Sequence, residues 1–260
     1  MVDSTRAHER LVRREPAGRS ITITGVLEKP IEVLVTPAVS DRADLVIHFH
    51  GGAWLPLQAA EATGKPVVIA CVNLGAGSRR YSMPFEDPAA FTRLRERIAA
   101  EVPSIQRVYL TGFSAGYGAI REILKQRPDE IDGVLLLDGL HASYIPEARP
   151  VADGGAVDTA SLEPFLRYAG RATRGEKRFV ITHSEIFPGT FASTTETADH
   201  LIETLRLRRT PVVEWGPLGM QHLSEVESGR FVVLGFAGNT APDHIDHLHA
   251  YQYFLERLLN

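Results

Sequence analysis

Val108-Tyr109-Leu110-Thr111-Gly112-Phe113-Ser114-Ala115-Gly116 decides how this chain is read. Its apolar start has the pattern of a short buried strand. The run after it, YGAIREILK over 117–125, has the pattern of a helix. Ser114 therefore sits in a G-x-S-x-G pentapeptide at a strand-to-helix turn. A serine hydroxyl is a weak nucleophile by itself. A sharp turn that lifts it clear of a sheet lets a histidine reach it and leaves a backbone N–H beside it to hold an oxyanion. Ser114 is the candidate covalent nucleophile, and the rest of the chain must supply a base, an acid and oxyanion donors.

Outward from this turn, strand and helix patterns alternate. Residues 31–36 alternate apolar and polar, 44–50 form a second strand that ends at paired glycines, and 66–72 are almost continuously apolar, as in a strand covered on both faces. Residues 73–84 read as a glycine- and serine-containing loop. Phe91, Leu94 and Ile98 recur at helical spacing within 87–102, and 105–111 lead into Ser114. After the serine come a helix over 116–126, a strand over 131–137, a helix over 161–171, a strand over 179–183, a helix over 195–208, strands over 212–215 and 231–236, and a final helix over 242–259. Ser193 and Glu196 have the spacing of a capping box. Such alternation implies an α/β fold, with a mostly parallel central sheet and helices on both faces. Residues 1–30 are expected as an N-terminal arm or edge strand, and 31–260 as a single domain. Only about 40 residues separate Asp138 from Phe179, and they must include a crossover helix, so no large cap domain is expected.

Bulk composition narrows the function classes. The 260 residues carry a formal net charge of -4, with 23% charged and 44% hydrophobic residues. A mildly acidic chain gives no reason to expect a nucleic-acid partner. The lone cysteine, Cys71, lies in a buried-strand pattern and reads as a small core hydrophobe. No apolar stretch approaches the length of a membrane span, and residues 1–10 lack the apolar core of a signal peptide. The expectation is a soluble, cytoplasmic protein acting on a small-molecule substrate.

His50-Gly51-Gly52-Ala53-Trp54 at the end of the second strand, the Gly112–Gly116 pentapeptide, and histidines near the start of the last helix occur in the order found in one family. From about Val33 to its C-terminus the chain resembles the α/β-hydrolase superfamily, in particular serine esterases with an HGG-type oxyanion loop. The resemblance implies a catalytic triad and no metal or organic cofactor. It places the first oxyanion donor at the N–H of Ala115 and the second at Gly52 or Ala53, with Gly51 as the alternative. His50 would organise the loop.

The base would lie at the start of the final helix, where His244 fits best and His247 and His249 are the alternatives. The acid would lie at one of two strand ends: Asp138, which closes the apolar run 134–137 where an unpartnered carboxylate is costly, is the candidate, and Glu185 is the alternative. Trp54, Tyr81, Phe85, Tyr144 and Phe187 are expected around the site. The activity implied is hydrolysis of a small or medium carboxylic ester through an acyl-enzyme, with a serine peptidase or amidase of the same fold as the alternative.

Overall fold

A computed structural model of the chain describes residues 11–102 and 104–260. The strands are β1 (Arg19–Ile23), β2 (Ile31–Val35), β3 (Arg42–Phe49), β4 (Val67–Val72), β5 (Ser104–Phe113), β6 (Gly133–Leu137), the short β7 (Tyr144–Ile145) and β8 (Ala156–Val157), β9 (Arg178–His183), β10 (Thr210–Trp215), β11 (Gln221–Ser228) and β12 (Phe231–Phe236). The helices are α1 (Trp54–Ala62), α2 (Ser78–Phe85), α3 (Ala90–Ala99), α4 (Tyr117–Gln126), α5 (Glu163–Thr173), α6 (Thr194–Thr204), α7 (Ala241–His249) and α8 (Tyr251–Leu259). None of the described helices is long and apolar enough to cross a membrane.

Ten strands form one twisted sheet in the order β1-β2-β4-β3-β5-β6-β9-β12-β11-β10. The six from β4 to β12 in that order run parallel, and antiparallel pairs extend the sheet at both ends. The first ten residues of the expected N-terminal arm lie outside the described residues; β1 borders one edge of the sheet. Between β6 and β9 the chain makes only the β7–β8 hairpin, short turns and α5, so there is no large cap domain.

The period of two along each strand divides the interior into two cores. On β3, Leu45, Ile47 and Phe49 face one side, while Val46 faces the other. The first side packs against α2 to α6 through residues such as Phe91, Ile120, Phe165 and Leu201. The second packs against α1, α7 and α8 through Leu55, Leu248, Phe254 and Leu258. Burying each such side chain contributes roughly 1.5–3 kcal/mol. Cys71 on β4 belongs to the second core.

Four elements depart from the sequence pattern. Residues 73–84 are not all loop, because α2 forms from Ser78 onward and buries Tyr81 and Phe85, one helical turn apart. Its Pro84 lies in the last turn, after most of the helix is built. Helix α1 carries little apolar period, since alanines supply half of its buried positions. Strand β11 reads QHLSEVES and pairs with β12 and β10 near the sheet's edge, where a half-polar strand is tolerated. The final helix is two, with Ala250 at φ -82 and ψ 14 between them. The Ser193–Glu196 capping box is present: the Glu196 N–H donates to Ser193 Oγ at 3.1 Å, and the Ser193 N–H to Glu196 Oε2 at 2.8 Å.

At the far edge, β10 exposes Val213 and Trp215. Its register with β11 shifts between Pro211 and Glu214.

Gly116 shows how tightly the layers meet, because a Cβ there would collide with the backbone carbonyl of Phe49. Gly116→Ala should therefore lose more than about 2 kcal/mol of stability. Gly170 lies inside α5, where a Cβ would stand 3.7 Å from Arg174 Nη1 and 3.8 Å from Leu205 Cδ2. Gly170→Ala should gain about 0.5–1 kcal/mol through helix propensity. Urea denaturation of the two variants checks the opposite signs.

Candidate active site

Strand β5 stays extended through Phe113 (φ -106, ψ 139), and Ser114 then turns into the left-handed region at φ 48. A non-glycine residue there is strained and needs surrounding structure to hold it. The neighbouring glycines show what holds it. A Cβ on Gly112 would lie 3.0 Å from Ile120 Cδ1 and 3.1 Å from the Gly116 carbonyl carbon. A Cβ on Gly139 would lie 2.6 Å from the Ser114 backbone nitrogen and oxygen. The ends of β3, β5 and β6 thus close around Ser114. Residues 114–116 form one short helical turn that feeds directly into α4.

Asp138 follows β6, also in the left-handed region at φ 40, and its side chain is buried. Its Oδ2 accepts from His244 Nδ1 at 2.8 Å and from Ser184 Oγ at 2.7 Å; its Oδ1 accepts from the Ser184 N–H at 3.0 Å. Burial pushes this carboxyl's pKa up. The facing imidazole of His247, the hydrogen bond and charge of His244, and the Ser184 N–H outweigh burial and hold it well below the usual carboxylate range. His244 sits in the first turn of α7, behind a capping box in which the Thr240 N–H and Oγ1 both donate to Asp243 Oδ2. The helix start that carries His244 is fixed by its own cap.

The other candidates lie elsewhere. Glu185 is exposed; its backbone N–H donates to the Gly238 carbonyl at 2.8 Å and ties the end of β9 to the loop before α7. His247 is fully buried, with Nδ1 2.7 Å from Thr182 Oγ1. His249 pairs through Nδ1 with Asp246 Oδ1 at 3.2 Å and lines a separate cavity between α1 and α8. The sequence reading did not single out Ser184, which anchors Asp138 twice. The polar run Thr182-His183-Ser184 at a strand exit was its only signal.

A second polar chain runs beneath the site. His48 Nε2 donates to the His50 carbonyl at 2.7 Å, so its Nδ1, 2.9 Å from Thr111 Oγ1, is the acceptor in the neutral ring. Thr111 Oγ1 in turn lies 2.7 Å from the Tyr251 hydroxyl. Burial lowers the His48 pKa to about 3 and keeps the ring neutral. His50 has φ 76, and its Nδ1 lies 2.8 Å from the Tyr81 hydroxyl. Its pKa is lowered to about 4, first by burial and then by the nearby His244. The His50 ring stacks on Phe113 at 5.9 Å, and Phe113 packs on His244 at 4.5 Å.

Two cavities open beside Ser114. The larger, about 470 Å³, is also lined by Gly77, Ser78, Ala115 and Tyr117, and extends to Arg121 and Asp158. The smaller, about 300 Å³, brings Ser114, Asp138 and His244 together with Ile186, Pro188 and Asn239. Gly52 and Ala53 line neither cavity and lead into α1, while the adjacent Gly51 (φ 103) leaves no room for a Cβ beside Leu248. The aromatic rim expected from sequence is corrected. Tyr81, Phe85 and Tyr144 are core residues, because each is fully buried and the hydroxyls of Tyr81 and Tyr144 bond to His50 and Glu196. Trp54 packs against the second core, and Phe187 is exposed but lines neither cavity.

No protein-family model matches the chain. Carboxylesterase NlhH of Mycobacterium tuberculosis is 28% identical over 169 residues, covering 58% of this chain and 52% of that protein. The chain spans about half the length of the curated relatives it matches. Among solved structures, a thermostable esterase superposes with a TM-score of 0.56 at 14% identity, over 93% of this chain and 62% of that one. A feruloyl esterase module from Clostridium thermocellum gives 0.55 at 15%, over 94% and 91%. The chain has the α/β-hydrolase fold. An acetyl xylan esterase from Aspergillus awamori shares that fold, with a TM-score of 0.53 at 12% identity over 91% of this chain and 100% of that one. In this α/β-hydrolase fold Ser114, Asp138 and His244 come from the ends of β5 and β6 and the start of α7, on one edge of the parallel sheet.

The buried imidazoles set the acid limb of stability. His48, His50 and His247 have folded pKa values of about 3, 4 and 4, against 6.5 when unperturbed. Above about pH 6.5 neither folded nor unfolded chain takes up the extra proton, and stability is fully present. Below it only the unfolded chain does, so stability falls by about 1.4 kcal/mol per pH unit for each ring until the folded value is reached. Urea midpoints should therefore drop between pH 7.5 and pH 5; equal midpoints would contradict the buried neutral state.

Proposed function

We propose that this chain is a serine hydrolase that cleaves carboxylic esters of small or medium size through an acyl-enzyme. The observation that carries the reading is the 2.8 Å His244–Asp138 pair lining the same cavity as Ser114. The Nδ1–H of His244 goes to Asp138, so its Nε2 is left as the base. The strained turn at Ser114 and the esterases among the similar proteins point the same way.

In the proposed reaction His244 takes the Ser114 proton as the hydroxyl oxygen attacks the ester carbonyl. Asp138 holds the ring's orientation and stabilises the imidazolium. The Ala115 N–H is the first oxyanion donor. The second is the N–H of Gly52 or Ala53, in the loop packed against Phe113. The Ser78 N–H at the start of α2 is the alternative, since Gly77 and Ser78 line the larger cavity with Ser114. His244 then protonates the leaving alcohol, the Ser114–acyl ester forms, and water activated by His244 releases the acid and restores Ser114.

A fluorophosphonate probe should label Ser114 stoichiometrically, read by peptide mass spectrometry. Ser114→Ala should lose label and ester turnover while keeping its unfolding midpoint. Asp138→Asn should cut kcat by about 10³–10⁴-fold, and Glu185→Gln should leave it within about threefold. Retained turnover in Ser114→Ala would end the proposal. Faster cleavage of matched amides than esters would move it to the amidase alternative.

A further inference from the structure

His141, Phe191 and Ser114 line both cavities, whereas His244 and Asp138 line only the smaller. Under the proposed function His244 protonates the leaving alcohol, so the smaller cavity takes the alcohol half and the larger takes the acyl half. The acyl side is not a plain apolar tunnel. Its walls include Arg121, Ser143, Asp158 and Ser161 beside the rings of Tyr117 and Phe191. Arg121 gives its Nε–H to Glu122 at 3.1 Å and lies over Tyr117. Among the described residues Asp158 is hydrogen-bonded only through its backbone, to Ser143 and Ser161.

His141 stands where the two cavities meet. Its Nδ1 lies 3.1 Å from the Ala192 carbonyl, and a carbonyl only accepts, so Nδ1 carries the proton. The ring is held edge-on between Tyr117, at 5.6 Å and 73°, and Phe191, at 5.0 Å and 82°. Burial lowers its pKa, which keeps the ring neutral and leaves a bare lone pair on Nε2. Among the described residues no group donates to that nitrogen. A plain alkyl chain would strip water from this acceptor and return nothing, whereas a hydroxyl would satisfy it.

We propose that His141 Nε2 accepts a hydrogen bond from a hydroxyl on the substrate's acyl group near the scissile carbonyl, and that hydroxyacyl esters are the preferred substrates. This rests on the serine-hydrolase reading and specifies its substrate class. His141 is a specificity residue and takes no part in bond breaking.

The test compares kcat/KM for the 4-nitrophenyl esters of butyrate, 2-hydroxybutyrate and 3-hydroxybutyrate. The wild-type chain should favour at least one hydroxylated ester over butyrate by about tenfold or more. His141→Phe keeps a ring between Tyr117 and Phe191 but has no acceptor. It should erase that preference, the hydroxylated esters losing about tenfold more kcat/KM than butyrate. His141→Gln, with an amide oxygen, should restore part of it. Equal kcat/KM for hydroxylated and plain esters in the wild type overturns the inference, as does an equal loss on all three esters in His141→Phe. Fluorophosphonate labelling of the wild type separates the two levels. Labelled Ser114 without a hydroxyl preference removes only the role of His141, and unlabelled Ser114 with no turnover removes the hydrolase reading with it.

Discussion

A charge at the edge of an apolar sheet organises this molecule. The Asp138 carboxylate is almost wholly removed from solvent, and an unpaired carboxylate in that setting costs several kcal/mol. It is satisfied by donors from two directions: the Ser184 N–H and hydroxyl after β9, and the His244 ring from α7. The Asp138 N–H in turn donates to the Thr182 carbonyl on β9. The ends of β6 and β9 and the start of α7 therefore have one mutual arrangement that leaves no bond unmade. Gly139, next in the chain, lets the Ser114 backbone approach where any side chain would block it. The carboxylate's demand for partners and the serine's position are thus coupled through two adjacent residues.

The second polar chain does for the layers what Asp138 does for the edge. Tyr251 on α8, Thr111 on β5 and His48 on β3 are linked in sequence and end on the His50 carbonyl, at the start of the glycine loop. These groups lie on the side of the sheet that packs against α1, α7 and α8, where the surroundings are otherwise apolar. A buried network with every bond made penalises any slip of α8 over the sheet, because a slip would orphan several groups together. The left-handed backbone of His50 and the stacking of its ring on Phe113 extend that constraint to the residue before Ser114.

What the sequence revealed depended on how local the cause was. The α/β class followed from alternating periods that each segment carries by itself. The pentapeptide was legible because Gly112 and Gly116 answer to crowding within one turn and its nearest strand. Asp138 was legible in part as the candidate acid, because an aspartate that closes the buried run 134–137 needs a partner. That the partner is His244 turns on which strand end faces α7, a matter of sheet order. Tyr81 and Tyr144 looked like rim residues because their segments read as loop. Packing draws both inward, and their hydroxyls meet His50 and Glu196, partners 31 and 52 residues away in the chain. Strand β11 carries no legible strand pattern because a pair at the sheet's edge needs no clean apolar face. Ser184 acquires its meaning only from the carboxylate that three-dimensional proximity brings to it, whereas His141 follows Asp138 by three residues and was legible as a neighbour of the site.

Among the described residues, a sheet of ten strands ends in two rows of backbone groups with no further strand to bond. At the β10 end that row carries exposed Val213 and Trp215, the composition that invites a neighbouring chain to add itself and propagate. The same strand contains its own deterrents. Pro211 contributes no N–H, the register breaks before Glu214, and Glu214 carries a charge into the ladder. An arriving strand would find an interrupted set of donors and a carboxylate to bury. The irregularity at this margin works against edge-to-edge pairing of a large sheet.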